Sequence, residues 1–125
     1  MNPAAMKNRT KEFAKKIIEL CRELPNNREG RLIGNQLFKS GTSVAANYRA
    51  ACRGRSKAEF VSKLGIVLEE ADETLFWLEL IDEMAIHRGS SVGFLRQECD
   101  EITAIMVTPS KQQRKAKTIG NQIPN

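Results

Sequence analysis

Apolar positions recur at helical spacing through most of the chain, and turn residues interrupt that spacing three times. Phe13, Ile17, Leu20, Cys21 and Leu24 follow one another at steps of 4, 3, 1 and 3, the stripe of an amphipathic helix over 10–24. Lys11, Lys15, Lys16, Glu19 and Arg22 take its other face. Pro25-Asn26-Asn27 ends it, because proline cannot continue the hydrogen-bond ladder and asparagine favours turns and caps. Residues 1–9 read as a frayed start. A second helix is expected from about Glu29 to Arg53, with Ile33, Leu37, Val44, Tyr48 and Ala51 near heptad spacing. Between them lie Ser40, Gly41, Thr42, Ser43, Ala45 and Ala46. Gly34 and Gly41 each cost about 1 kcal/mol relative to alanine in a helix. Either a neighbouring helix approaches closely over these small residues, or they form a loop. The apolar spacing continues on both sides and favours the helix.

Ser56-Lys57-Ala58-Glu59 has the form of a capping box ahead of an apolar run. The third helix is expected to reach His87, with Gly89 as its left-handed stop. Around it, Phe60, Leu64, Val67, Leu68, Ala71, Leu75 and Leu78 form one broad stripe. Ile66, Trp77, Leu80 and Met84 fall on the opposite side, interleaved with Glu70 and Glu73. A helix with two apolar faces has two partners. One is the core, and the other is expected to be a second subunit, meeting Ile66, Glu70, Glu73, Trp77, Leu80 and Met84. Ser90-Ser91 offers a fourth cap, followed by Leu95, Cys99, Ile102, Ile105 and Met106 at helical steps, and Pro109 is expected to kink or end that helix. No strand alternation and no internal repeat is visible. The pattern predicts an all-α antiparallel up-and-down four-helix bundle over 1–107. A basic tail over 108–125 follows, either the end of the fourth helix or disordered.

Length and composition narrow this reading without changing it. A chain of 125 residues fits one domain. Its N-terminus lacks the apolar run of a signal peptide and no window approaches 18 apolar residues, so a cytoplasmic protein with no membrane partner is expected. The cysteines, Cys21, Cys52 and Cys99, are odd in number and lack metal-type or redox spacing, which favours free thiols over a disulfide framework. The net charge of +5 is unevenly spread. Residues 1–57 hold 13 Lys and Arg against 4 Asp and Glu, a balance of +9. Residues 58–107 hold 3 against 11, a balance of −8, and the tail adds 4 cations and no acid. A basic front half followed by an acidic stretch suggests self-complementarity within or between subunits.

No catalytic machinery is legible, so the chain is expected not to be an enzyme and to need no cofactor and no metal. His87 is the lone histidine and reads as a helix-end or solvent-facing residue. A bundle di-iron site needs a Glu-x-x-His motif from each of two helices, which one histidine cannot supply. The acidic run Glu69, Glu70, Asp72 and Glu73 reads as a solvated or ion-paired face. The basic set Lys39, Arg49, Arg53, Arg55 and Lys57 has two readings. It pairs with the acidic third helix, or it is a nucleic-acid-binding surface, since arginine's planar fork suits phosphate. Tyr48 is its one aromatic neighbour, thin support for a base-stacking platform.

Ser43-Val44-Ala45-Ala46-Asn47-Tyr48 and Arg55-Ser56-Lys57-Ala58-Glu59-Phe60, with the long helix after them, closely resemble the four helix bundle protein family, the 23S rRNA intervening-sequence proteins. The resemblance covers roughly Phe13 to Met106, with its most specific matches at Gln36, Ser43, Asn47, Arg55, Ser56, Lys57, Glu59 and Phe60. Many members read Asn-Ile-Ala-Glu-Gly where this chain has Asn47-Tyr48-Arg49-Ala50-Ala51, so any role of that glutamate does not transfer. The resemblance implies an up-and-down bundle assembling as a ring-like homopentamer, with no established enzymatic activity. Some members are encoded inside intervening sequences of 23S rRNA genes. Distant relatives are accessory proteins of diversity-generating retroelements that contact nucleic acid and a reverse transcriptase. The partners implied are therefore copies of itself, RNA or DNA, and a protein partner. Two functions stand open: an RNA-binding accessory protein, and a structural adaptor that self-assembles and docks a protein without binding nucleic acid.

Overall fold

The structure, a computed structural model, describes the backbone of residues 2–122 and the side chains of residues 2–107. The described residues form four helices: α1 (Pro3–Glu23), α2 (Arg28–Cys52), α3 (Lys57–Glu83) and α4 (Ser91–Gln122). No strand occurs among the described residues. Pro109, expected to kink or end the last helix, lies within α4. The side chains of the basic tail from residue 108 onward lie outside the described ones.

The start of α1 corrects the expectation of a frayed segment over 1–9. The Asn2 side-chain oxygen accepts hydrogen bonds from the Ala4 and Ala5 amides at 3.0 and 3.2 Å, and Pro3 takes the first helical position. Proline there loses no hydrogen bond and has its φ already set for the helix. Met6, on this added stretch, and Thr10, just after it, are buried. Its apolar signal is weak because Lys7, Asn8 and Arg9 fall between them.

Helix α2 runs unbroken through its small residues, as the apolar spacing favours. Asn27 caps it by accepting the Gly30 amide at 2.8 Å. A Cβ on Gly41 would lie 2.8 Å from both Cγ atoms of Ile17, and one on Gly34 would lie 3.2 Å from Leu24. A Cβ on Gly30 would meet the Pro25 carbonyl oxygen. The small residues are thus the means by which α1 and its turn close onto α2. The Cys21 thiol donates to the Gly34 carbonyl along the same seam, at 3.5 Å.

Helix α3 opens as expected, with the Ser56 hydroxyl accepting the Glu59 amide at 3.1 Å. Only half of the capping box is realised, because the Glu59 carboxylate turns to Lys63 at 3.7 Å. Its end departs from expectation. The helix stops before Met84, and the left-handed residue is Ala85 (φ 52°), not Gly89. The Ala85 amide donates to the Asp82 carbonyl at 3.0 Å and the Ile86 amide to the Ile81 carbonyl at 2.9 Å. This is the paired bonding of a Schellman cap, and it folds Ile86 back against the core below Ile81. His87, expected at a helix end or facing solvent, instead sits in the α3–α4 connection. Its Nδ1 accepts the Gly89 amide at 3.1 Å, so its Nε2 carries the proton and donates to Glu23 at the end of α1, at 3.0 Å.

One core joins all four helices, with Phe13, Ile17 and Leu20 from α1, Leu37, Val44 and Tyr48 from α2, Leu64, Leu78 and Ile81 from α3, and Leu95, Ile102 and Met106 from α4. Helix α2 packs on α1 and α3, and α4 packs on α3 and α1. At the α1–α4 seam Arg9 grips Glu98 through Nε (3.0 Å) and Nη2 (2.6 Å). That fork holds the Glu98 carboxyl below its ordinary range. All three cysteines are free. The buried Cys99 thiol donates to the Ala71 carbonyl at 3.2 Å, and burial pushes its pKa to about 12. Burial raises Cys21 to about 11.

Three substitutions test this account of the backbone. Overpacking a tight contact costs about 1–3 kcal/mol, against a gain of about 1 kcal/mol in helix propensity. Gly41→Ala should therefore lower the unfolding free energy, because Ile17 is fully buried and has no room to yield. Gly65→Ala, where a Cβ meets nothing within 4 Å, should raise it. Urea denaturation of both variants reads the signs, and stabilisation by Gly41→Ala would contradict the close approach. Ala85→Gly should stabilise by about 0.5–1 kcal/mol, the left-handed cost relieved less the entropy of glycine. An unchanged or lower melting temperature would remove Ala85 from its assigned conformation.

Candidate functional site

The i, i+4 spacing of Lys7 and Lys11 puts both on one face of α1, about 6 Å apart along its axis. Arg49 and Arg53 have the same relation at the end of α2. The packing of α1 on α2 sets these two pairs along one groove of about 660 Å³. Asn8, Thr42, Ala45, Ala46 and Cys52 complete its lining, which holds no carboxylate. Among the described residues none of the four cations makes an ion pair. Arg9, Lys15, Lys63 and Arg96 elsewhere do so, with Glu98, Glu12, Glu59 and Asp82. Four like charges facing a shared cleft raise its positive potential and favour an anion there. Alanines on the α2 side leave space for a chain to approach the helix closely.

The residues singled out in the sequence divide. Arg49 and Arg53 line the groove. Lys39 lies on the side of α2 that meets α3, where its charge acts on Glu70. The Glu70 carboxyl is raised chiefly by burial and then by Glu73, with Lys39 opposing. Arg55 and Lys57 are exposed at the α2–α3 turn and the first turn of α3, outside the groove lining. Lys7 and Lys11 were missed, because Lys7 falls in the stretch read as frayed, Lys11 read as part of the polar face of α1, and only the packing of α1 brings them to Arg49. Their i, i+4 spacing was the available signal. Tyr48, the expected aromatic neighbour, is wholly buried and offers no ring face. Its hydroxyl reaches no hydrogen-bond partner among the described residues. Phe38 is the exposed aromatic of α2.

The expected oligomer face on α3 is partly open. Ile66 and Met84 are exposed at 43% and 64%, and Glu73 is exposed as well, while Glu70, Trp77 and Leu80 are half-buried. Trp77 packs against the edge of the core, which revises its placement on the side opposite the core stripe. Its Nε1 donates to Glu73 at 3.3 Å. Phe76, not singled out in the sequence, stands edge-on to Trp77 with ring centres 5.0 Å apart and is 50% exposed. Among the described residues no three His, Cys, Asp or Glu side chains cluster as a metal site, and no helix is long and apolar enough to cross a membrane.

Comparison with known proteins places this geometry in a family. The family described as 23S rRNA-intervening sequence protein matches residues 4–108, a span that includes all of α1 but its first residue, all of α2 and both cation pairs. Among solved structures, the chain is similar to a protein of unknown function from the S23 ribosomal protein family of Bacteroides thetaiotaomicron. The two share 33% identity and a TM-score of 0.78, over 85% of this chain and 98% of that one. No curated protein matches the chain. With the match extending from the first turn of α1 into α4, the chain belongs to the 23S rRNA-intervening sequence protein family.

Proposed function

We propose that this protein is a non-enzymatic, RNA-associated accessory protein of the cytoplasm, built as an antiparallel up-and-down bundle and assembled into a ring-like homopentamer. The observation that carries the RNA reading is the α1–α2 groove, where among the described residues Lys7, Lys11, Arg49 and Arg53 make no ion pair and the lining holds no carboxylate. Cations left without internal partners are free to neutralise phosphate, and arginine does so through two parallel hydrogen bonds. The family description, which names a 23S rRNA intervening sequence, agrees with this direction. The antiparallel arrangement is supported by the α1–α2 contacts: Leu24 meets Gly34 while Ile17 meets Gly41, so one helix ascends as the other descends.

The ring is supported by the exposed Ile66, Phe76 and Met84 on α3 and by the division of charge between the two parts of the chain. Head-to-tail contacts between unlike surfaces close into rings when the rotation allows. A ring repeats the groove in every subunit, so modest affinity at each becomes multivalent. The same exposed face favours a second reading, an adaptor that assembles and docks a protein partner without RNA.

Wild-type protein should bind RNA with an affinity that falls as salt rises, by roughly 0.7 in log–log slope per phosphate neutralised on a single strand. Arg49→Glu with Arg53→Glu should remove most of that binding. Arg55→Glu with Lys57→Glu should remove much less. Bound RNA should also slow alkylation of Cys52, which lines the groove. Absence of salt-sensitive binding even near 50 mM salt, about the lower end of the range where such contacts are strongest, would leave the adaptor reading in its place. For the assembly, native mass spectrometry should find five subunits, and Ile66→Glu with Met84→Glu should release monomers that remain helical. A wild-type monomer at micromolar concentration would contradict the ring.

A further inference from the structure

The groove is one part of a longer face. Arg31, Asn35, Phe38, Thr42, Arg49 and Arg53 follow one another along α2 at steps of 4, 3, 4, 7 and 4, which puts them on a single side of the helix. That side holds no carboxylate. It carries the two arginines at its C-terminal end, Phe38 near its middle, and Asn35 and Arg31 towards its start. Phe38 is 46% exposed and, with Arg31, Asn35 and Leu24, lines a groove of about 240 Å³. Arg31 is steadied by a hydrogen bond from Nη1 to Asn26 Oδ1 at 3.2 Å. A single exposed phenylalanine is ordinary on a protein surface. What distinguishes this one is its place in line with cations, beside an amide and a guanidinium able to meet the edge of a base.

We infer that this face binds single-stranded RNA, with phosphates held by Lys7, Lys11, Arg49 and Arg53 and an unpaired base stacked on Phe38. The inference rests on the RNA reading above and narrows it to a class of RNA. Phe38 and Arg49 lie about 16 Å apart along α2, a distance a few nucleotides of extended strand cover. A duplex keeps its base faces stacked inside and has none to give to a ring at that distance from its phosphates. A single strand splays its bases, and aromatic rings accept them without regard to sequence. The selection of unpaired RNA therefore comes from Phe38 and the affinity from the cations.

Fluorescence anisotropy on the full chain tests this, using a labelled oligoadenylate of about ten nucleotides, alone and annealed to its complement. The single strand should bind more tightly than the duplex. Phe38→Ala should weaken the single strand about tenfold, as loss of one stacked base does, with the salt slope unchanged. Phe38→Trp should restore or tighten it, and Arg49→Glu with Arg53→Glu should flatten the salt dependence instead. Equal binding of both forms, indifferent to Phe38→Ala, overturns the inference and leaves the RNA reading standing. No binding of either form by the wild-type protein overturns both. A change of oligomer mass in Phe38→Ala assigns the ring to a contact between copies, and that also overturns it.

Discussion

Ile17 rests directly on the backbone of α2 because Gly41 has no Cβ to hold it off. The rest of the candidate site depends on that contact. Gly34 under Leu24 and Gly30 under the Pro25 carbonyl extend it to the turn, so three glycines fix both the distance and the rotation of α1 against α2. Each lowers helix propensity by about 1 kcal/mol, and the packing they permit offsets that cost. With α1 set in this way, its first turns bring Lys7 and Lys11 over the end of α2, across small side chains from Arg49 and Arg53. A looser seam would leave four unrelated surface cations.

Some charges are reconciled within the fold. Arg9 with Glu98 fastens α1 to α4, Arg96 with Asp82 fastens α4 to α3, and Lys39 acts on Glu70 between α2 and α3. The groove differs in that it gathers like charges and, among the described residues, holds no carboxylate in its lining. Like-charge crowding works against the folded state, and natural chains accept such local conflicts chiefly at sites of function. On this account the groove is where the basic front half of the chain is left open to a partner. The acidic outer side of α3 leaves Ile66, Phe76 and Met84 exposed.

The helices were legible because the core is built from one apolar phase per helix, and Leu37, Val44, Tyr48 and Ala51 at steps of 7, 4 and 3 are that phase in α2. The same phase buries Tyr48 and exposes Phe38, one position out of step with Leu37, a distinction that picking aromatics by nearness in sequence overlooked. The first turns of α1 were hidden by lysines and arginine between their buried residues. The stop of α3 was misplaced because Gly89 is the better left-handed residue in isolation, whereas burial of Ile86 sets the cap at Ala85. Half of the groove could be named from a run of arginines in α2. The other half needed tertiary packing, which no local pattern carries.

The most direct measurement is photocrosslinking of the protein to single-stranded RNA carrying 4-thiouridine, followed by mapping of the modified peptides. The account predicts adducts within residues 28–53 of α2, with Phe38 among the modified positions, and within the first turns of α1 around Lys7 and Lys11. Adducts confined to α3 or α4, with α1 and α2 unmodified, would contradict it.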